Sequence, residues 1–214
     1  MIKGVLFDMD GVLVDSERFI AAAAIKMFSE LGVNARPEDF HPFTGTGENR
    51  YLGGVAEKYG ITVDIQKVKA RTYEIFGEIA RNNLFPLPGA GEFIERCRKK
   101  GLSLALATSA DRVKMLINLE EIGLPAETFN AIITGEDVLH KKPAPDIYLK
   151  AAEHLGLKPE ECLVVEDAVS GVKAGKAAGC KCLAVTTSFR AEELKEADWI
   201  FPTLAVVNEE VLNW

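Results

Sequence analysis

Short, nearly unbroken apolar runs punctuate the chain. They fall at 4–7 (GVLF), 102–107 (LSLALA), 131–134 (AIIT), 162–165 (CLVV), 182–186 (CLAVT) and 199–201 (WIF). Runs of this length without polar alternation suit strands buried on both faces of a parallel sheet. Segments with apolar residues at helical spacing separate them, at 89–100, 111–122, 145–155 and 168–178. Each is closed by a glycine: Gly101, Gly123, Gly156 or Gly179. The alternation predicts a doubly wound α/β domain built on a parallel sheet.

One block breaks this rhythm. Residues 16–84 contain no strand-like run and read as helices near 16–32, 49–60 and 64–83, the first with Ser16 as its cap. An all-helical insert after the first strand predicts a small cap domain, 16–84, on a core formed by 1–15 and 85–214. FPLPG at 85–89 carries two prolines and serves as the stiff return hinge.

Composition narrows the partners. Of 214 residues, 48% are hydrophobic and 27% charged, an ordinary globular balance. The net charge of −7 disfavours nucleic acid and anionic membrane as partners. It leaves room for an anionic small molecule, because a metal ion or a lysine can reverse the field within one cleft. No apolar run reaches the roughly 18 residues of a membrane span, and the first residues lack a secretory h-region. Cys97, Cys162, Cys180 and Cys182 are scattered and read as reduced thiols of a cytoplasmic protein. A monomer or a weak homo-oligomer is expected.

In doubly wound sheets, ligands bind at the carboxyl ends of the strands. The first strand is followed by Asp8 and Asp10, the second by Thr108 and Ser109. The third is followed, across a loop, by Lys141 and Lys142, and the fourth by Glu166 and Asp167. Crowded carboxylates repel one another, and a hard cation such as Mg²⁺ relieves the conflict. Hydroxyl and ammonium donors beside such a metal form a clamp for a phosphoryl group. Within it, one carboxylate can attack phosphorus while the other moves the leaving group's proton. Taken singly, each residue has a plainer reading. Asp8 or Asp10 could shape the turn at Gly11, Thr108 or Glu166 and Asp167 could cap helices, and Asp15 is read as structural. Their shared sheet edge favours the chemical reading.

FDMDGVLVDSE, LALATSA, KKPAPDIY and VVEDAVSGVKAGKAAG resemble, in order, the four motifs of the haloacid dehalogenase superfamily. The insert resembles the helical cap of the branch holding β-phosphoglucomutases and phosphoglycolate-type phosphatases. The resemblance implies Asp8 as nucleophile and Asp10 as general acid/base. It implies Thr108 and Lys142 as phosphoryl ligands, with Ser109 beside them. It assigns Mg²⁺ to Asp8, the Asp10 carbonyl and Asp167, with Glu166 as a further ligand, direct or through water. Members that dehalogenate or cleave phosphonates lack the second aspartate, so Asp10 points to phosphate-ester or anhydride chemistry and a small phosphorylated substrate.

The same resemblance separates hydrolysis from mutase chemistry. The mutases carry an arginine three positions after a cap-loop glycine. Here Gly45 fills the glycine position and Glu48 the third after it, with Arg50 displaced. A Ser-Lys-Asn after the second motif is replaced by Ala110-Asp111-Arg112, and a cap histidine by Ile20. Simple hydrolysis is therefore expected, with phosphomutase action as the alternative. Gly45, Thr46, Glu48 and Arg50 are the expected substrate-reading residues. A phospho-accepting receiver predicts adjacent acidic residues and no insert. A non-catalytic binding protein predicts a missing motif residue. Neither pattern is present.

Overall fold

The computed structural model describes residues 1–43 and 47–214. Six strands form one fully parallel sheet: β1 (Gly4–Phe7), β2 (Ser103–Ala107), β3 (Ala131–Ile133), β4 (Cys162–Glu166), β5 (Lys181–Val185) and β6 (Trp199–Phe201), in the order β3-β2-β1-β4-β5-β6. Every expected apolar run is a strand. Alternate residues face opposite ways. Val5, Phe7, Leu104, Leu106, Leu163 and Val165 pack on one face, while Leu6, Ala105, Ala107, Val164 and Ala184 pack on the other. Both faces are apolar because both are covered, which is why the runs lack polar alternation.

Helices α4 (Ala90–Lys99) and α5 (Arg112–Glu121) follow the hinge and β2. Helices α6 (Asp146–His154) and α7 (Val169–Ala178) flank β4. The inserted segment between β1 and β2 contributes α1 (Glu17–Glu30), α2 (Glu48–Lys58) and α3 (Ile65–Ala80). Asp64 starts α3 by accepting from the backbone N–H groups of Gln66 and Lys67 at 3.1 and 3.4 Å, the usual service of an N-cap aspartate. α1 and α3 pack along each other, and α3 also rests on α5. The outgoing and returning chains pair at the hinge: Val14 bridges Pro86, and Leu87 N–H donates to Leu13 O at 2.9 Å. Apolar burial runs without a break from Phe7 and Met9 through Leu13 into Ile20, Phe28 and Phe76 of the insertion.

All four cysteines are buried and free. Among the described residues, no helix is long and apolar enough to cross a membrane.

Candidate active site

Chain order reverses at β1. From there the sheet grows outward through β2 and β3, and then resumes on the other side with β4. A crevice opens at such a reversal, beyond the carboxyl ends of the two central strands. Asp8 leaves β1 into it, and its N–H donates to Val165 O of β4 at 2.9 Å. Lys142 arrives from the loop before α6. Its Nζ donates to Asp8 Oδ1 and Glu166 Oε1, both at 2.7 Å, and to the Ala107 carbonyl at 3.2 Å. The same ammonium lies 4.9 Å from the Tyr148 ring centre.

Glu166 is fully engaged. Its Oε1 also accepts from the Tyr148 hydroxyl at 2.7 Å, and its Oε2 accepts from the N–H groups of Asp167 and Ala168 at 3.0 and 3.1 Å. It thus steadies Lys142 and the start of α7 together. Gly171 leaves space for it, since a Cβ there would stand 1.7 Å from Glu166 Oε1. Thr108, at the end of β2, accepts from Ala110 N–H at 3.1 Å, which leaves its hydroxyl proton to donate. With Asp8, Asp10, Ser109, Lys142 and Asp167 it lines a cavity of about 150 Å³.

Electrostatics mark the spot. Burial pushes the Asp8 carboxyl up to about 7, against the pull of Lys142 and with the push of Glu166 and Asp10. Burial, with Glu166 and Asp8, raises Asp167 well above the carboxylate range, although Ser188 donates to it. Burial alone would lower the Lys142 ammonium, but Asp8 and Glu166 more than reverse this and hold it above its ordinary value. One lysine therefore faces three buried carboxylates. The carboxylate oxygens of Asp8, Glu166 and Asp167 lie within 4.8 Å of one another. A hard-oxygen donor set short of positive charge fits Mg²⁺. Asp8 and Asp167 are the natural ligands, because Glu166 is already spent on four donors.

Asp10 turns its carboxylate away from this cluster, toward the insertion. Lys114 Nζ donates to Oδ2 at 2.9 Å, and the Ser16 hydroxyl donates to Oδ1. Ser16 in turn accepts from Asn118 Nδ2 at 3.2 Å. The two aspartates of the first motif thus face different partners, Lys142 for Asp8 and Lys114 with Ser16 for Asp10.

A family match decides the class: the haloacid dehalogenase-like hydrolases match residues 5–185. The chain belongs to that family. It is 44% identical over 199 residues to the protein suppressor of quenching 1, chloroplastic, of Arabidopsis thaliana; the match covers 92% of this chain but 19% of the plant protein. It is 34% identical over 183 residues to a phosphorylated carbohydrates phosphatase of Thermotoga maritima, covering 83% of this chain and 82% of that one. The crystal structure of CbbY from Rhodobacter sphaeroides in complex with phosphate superposes with a TM-score of 0.88 at 28% identity, over 100% of both chains.

Of the described residues expected to read the substrate, only Glu48 is seen lining a cavity. Gly45 and Thr46 lie outside the described residues. Glu48 opens α2 and lines a second cavity with Asp10, Ile20, Tyr51 and Lys114. Arg50 does not face the site: it is exposed, pairs with Glu57 at 2.8 Å and stacks on the Phe43 ring at 5.0 Å. Asp111 is drawn to Lys69 of α3 at 2.7 Å, and Arg112 points outward to Asp137 at 3.6 Å. Ser16 stands at the N-cap of α1 as expected, but its side chain makes no cap hydrogen bond and its hydroxyl donates to Asp10 instead. Asp15 is exposed, with Arg18 3.8 Å away.

Sequence reading missed Lys114, Tyr148 and Ser188. Lys114 had a readable signal. Residues 114, 115, 118 and 119 share one face of α5, and Met115 and Leu119 require that face to be buried. The lysine and Asn118 are carried inward with them, while Val113 and Leu116 stay exposed.

Proposed function

We propose that the protein is a Mg²⁺-dependent phosphatase of small phosphorylated metabolites, acting through an aspartyl-phosphate on Asp8. The observation that carries this is the convergence of Asp8, Lys142, Thr108, Ser109 and Asp167 on one cavity, with the Asp10 carboxylate at its mouth toward the insertion. The phosphatase name of the Thermotoga relative supports the same reading.

Asp8 attacks phosphorus, the P–O bond to the leaving group breaks, and Asp10 gives that oxygen a proton. In the second half Asp10 takes a proton from water, whose oxygen attacks phosphorus, breaks the bond to Asp8 and frees phosphate. Lys142 and the Thr108 hydroxyl hold the transferring oxygens, and Lys142 also orients Asp8. Asp8, Asp167 and the Asp10 carbonyl would hold Mg²⁺, whose positive charge would let an anionic phosphate approach a carboxylate. Glu166 acts from behind, fixing Lys142. The helical segment 16–84 serves as a cap that excludes bulk water.

Mutase action fits less well. Arg50 is engaged by Glu57 and Asp111 by Lys69, so neither position offers a cation to a distal phosphate. The test is phosphate release from a panel of phosphorylated metabolites, with Mg²⁺ or with EDTA. Release only with Mg²⁺ is expected. Conversion of β-glucose 1-phosphate to glucose 6-phosphate without phosphate release would establish the mutase instead.

A further inference from the structure

Beyond the phosphoryl cavity, on the insertion side of Asp10, lies a smaller one of about 60 Å³. Among the described residues its charged lining is Asp10, Glu17 and Glu48 against Lys114 alone, with Ile20 and Tyr51 as apolar wall. Lys114 is only 3% exposed, and its ammonium is committed to Asp10. Glu48 Oε2 is buried there with no hydrogen-bond partner. A buried carboxylate oxygen without a donor is costly, so a ligand that brings an O–H gains by meeting it.

We propose that this cavity is a leaving-group subsite for a short, uncharged polyol, with Glu48 accepting from a substrate hydroxyl and Lys114 positioning Asp10 beside the leaving oxygen. The proposal rests on the phosphatase reading and deepens it. An anionic end, whether carboxylate or second phosphate, would enter against three carboxylates whose one cation is already paired. Of the cations near it, Arg50 and Arg112 are held by Glu57 and Asp137, Arg18 lies by Asp15 and over the Phe19 ring, and Lys141 donates to the Gly135 carbonyl. Size sets the other limit: the cavity holds roughly four waters, which matches a carbon chain of about three or four atoms.

Three probes of similar size test this in the intact protein with Mg²⁺: glycerol 3-phosphate, 3-phosphoglycerate and acetyl phosphate. The first two differ in the charge at the far end. Acetyl phosphate expels acetate, which leaves without needing a proton. Wild type is expected to prefer glycerol 3-phosphate over 3-phosphoglycerate by about a hundredfold in kcat/KM, the scale of discrimination a charged pocket supports. Glu48→Gln should raise KM for glycerol 3-phosphate by about tenfold, the loss of one charge-assisted hydrogen bond.

Lys114→Met should lower kcat for glycerol 3-phosphate about tenfold more than for acetyl phosphate, because Lys114 acts through the proton carrier. Lys114→Arg should restore part of it. Equal use of glycerol 3-phosphate and 3-phosphoglycerate overturns the subsite. So does an equal loss on all probes in a Lys114→Met protein whose circular dichroism is native. If not even acetyl phosphate is hydrolysed, the phosphatase reading falls and the subsite with it; acetyl phosphate turnover without the predicted preference overturns the subsite alone.

Discussion

Tyr148→Phe isolates one hydrogen bond in the support of Glu166, Lys142 and Asp8. Tyr148 is fully buried, and its hydroxyl donates to Glu166 Oε1 at 2.7 Å. Phenylalanine keeps the ring, its buried place in α6 and its position under the Lys142 ammonium. What is lost is a hydrogen bond to a charged acceptor, about 1.5–3 kcal/mol. Lys142 and two backbone N–H groups still serve Glu166, so the lower half of that range, about 1.5–2 kcal/mol, is expected. With a urea m-value of about 3 kcal/mol/M for a chain of this size, the midpoint should fall by roughly 0.5–0.7 M. The assay is equilibrium urea unfolding followed by tryptophan fluorescence, at one pH and without Mg²⁺. A midpoint within about 0.2 M of wild type, at unchanged m, would refute the reasoning that Glu166 depends on this donor.

Three further outcomes follow from other sites. Gly11 adopts φ +77°, and a Cβ there would stand 1.8 Å from Asp167 Oδ2. Gly11→Ala should therefore cost about 1–2 kcal/mol from the backbone alone and displace Asp167, seen as weakened Mg²⁺ binding by calorimetry. Asp39 is held well below its usual 3.8 by hydrogen bonds from the Lys58 ammonium and the Tyr59 hydroxyl. A lowered pKa in the folded state gives stability that is full above the unfolded value and lost as pH falls toward the folded one. The Asp39→Asn deficit measured by urea unfolding should thus be present at pH 7 and shrink below about pH 4. Mg²⁺ at about a hundred times its Kd should stabilise the protein by about 2.7 kcal/mol, read as a rise in Tm that EDTA reverses.

Much of this was legible in the sequence for physical reasons. Strands buried on both faces leave unbroken apolar runs, and all six appear where those runs lie. The glycine stops bounded α4 to α7 to within a residue or two. The charged residues of the sheet edge, Asp8, Lys142, Glu166 and Asp167, were readable because a strand interior tolerates none. The side chains of the insertion and of α5 facing it were less so. Arg50 turns outward to Glu57, two helical turns on, and lies over the Phe43 ring that precedes α2. Asp111 is claimed by Lys69, more than forty positions away in the chain, a partner that no local pattern reveals. Ser16 has the residue type of a cap, but Asp10 competes for its hydroxyl and wins. Lys114 looks like an ordinary surface lysine until Met115 and Leu119 fix which face of α5 is inward.

The central claim is that Asp8 carries the phosphoryl group. Its most direct measurement is to mix the protein with Mg²⁺ and phosphorus-labelled acetyl phosphate, quench in acid, and locate the label by peptide mass spectrometry. Label on the peptide containing Asp8, absent from Asp8→Asn protein and absent with EDTA, is the predicted result. Phosphate release by wild type with no label at Asp8 at any quench time, or undiminished release by Asp8→Asn, would contradict it.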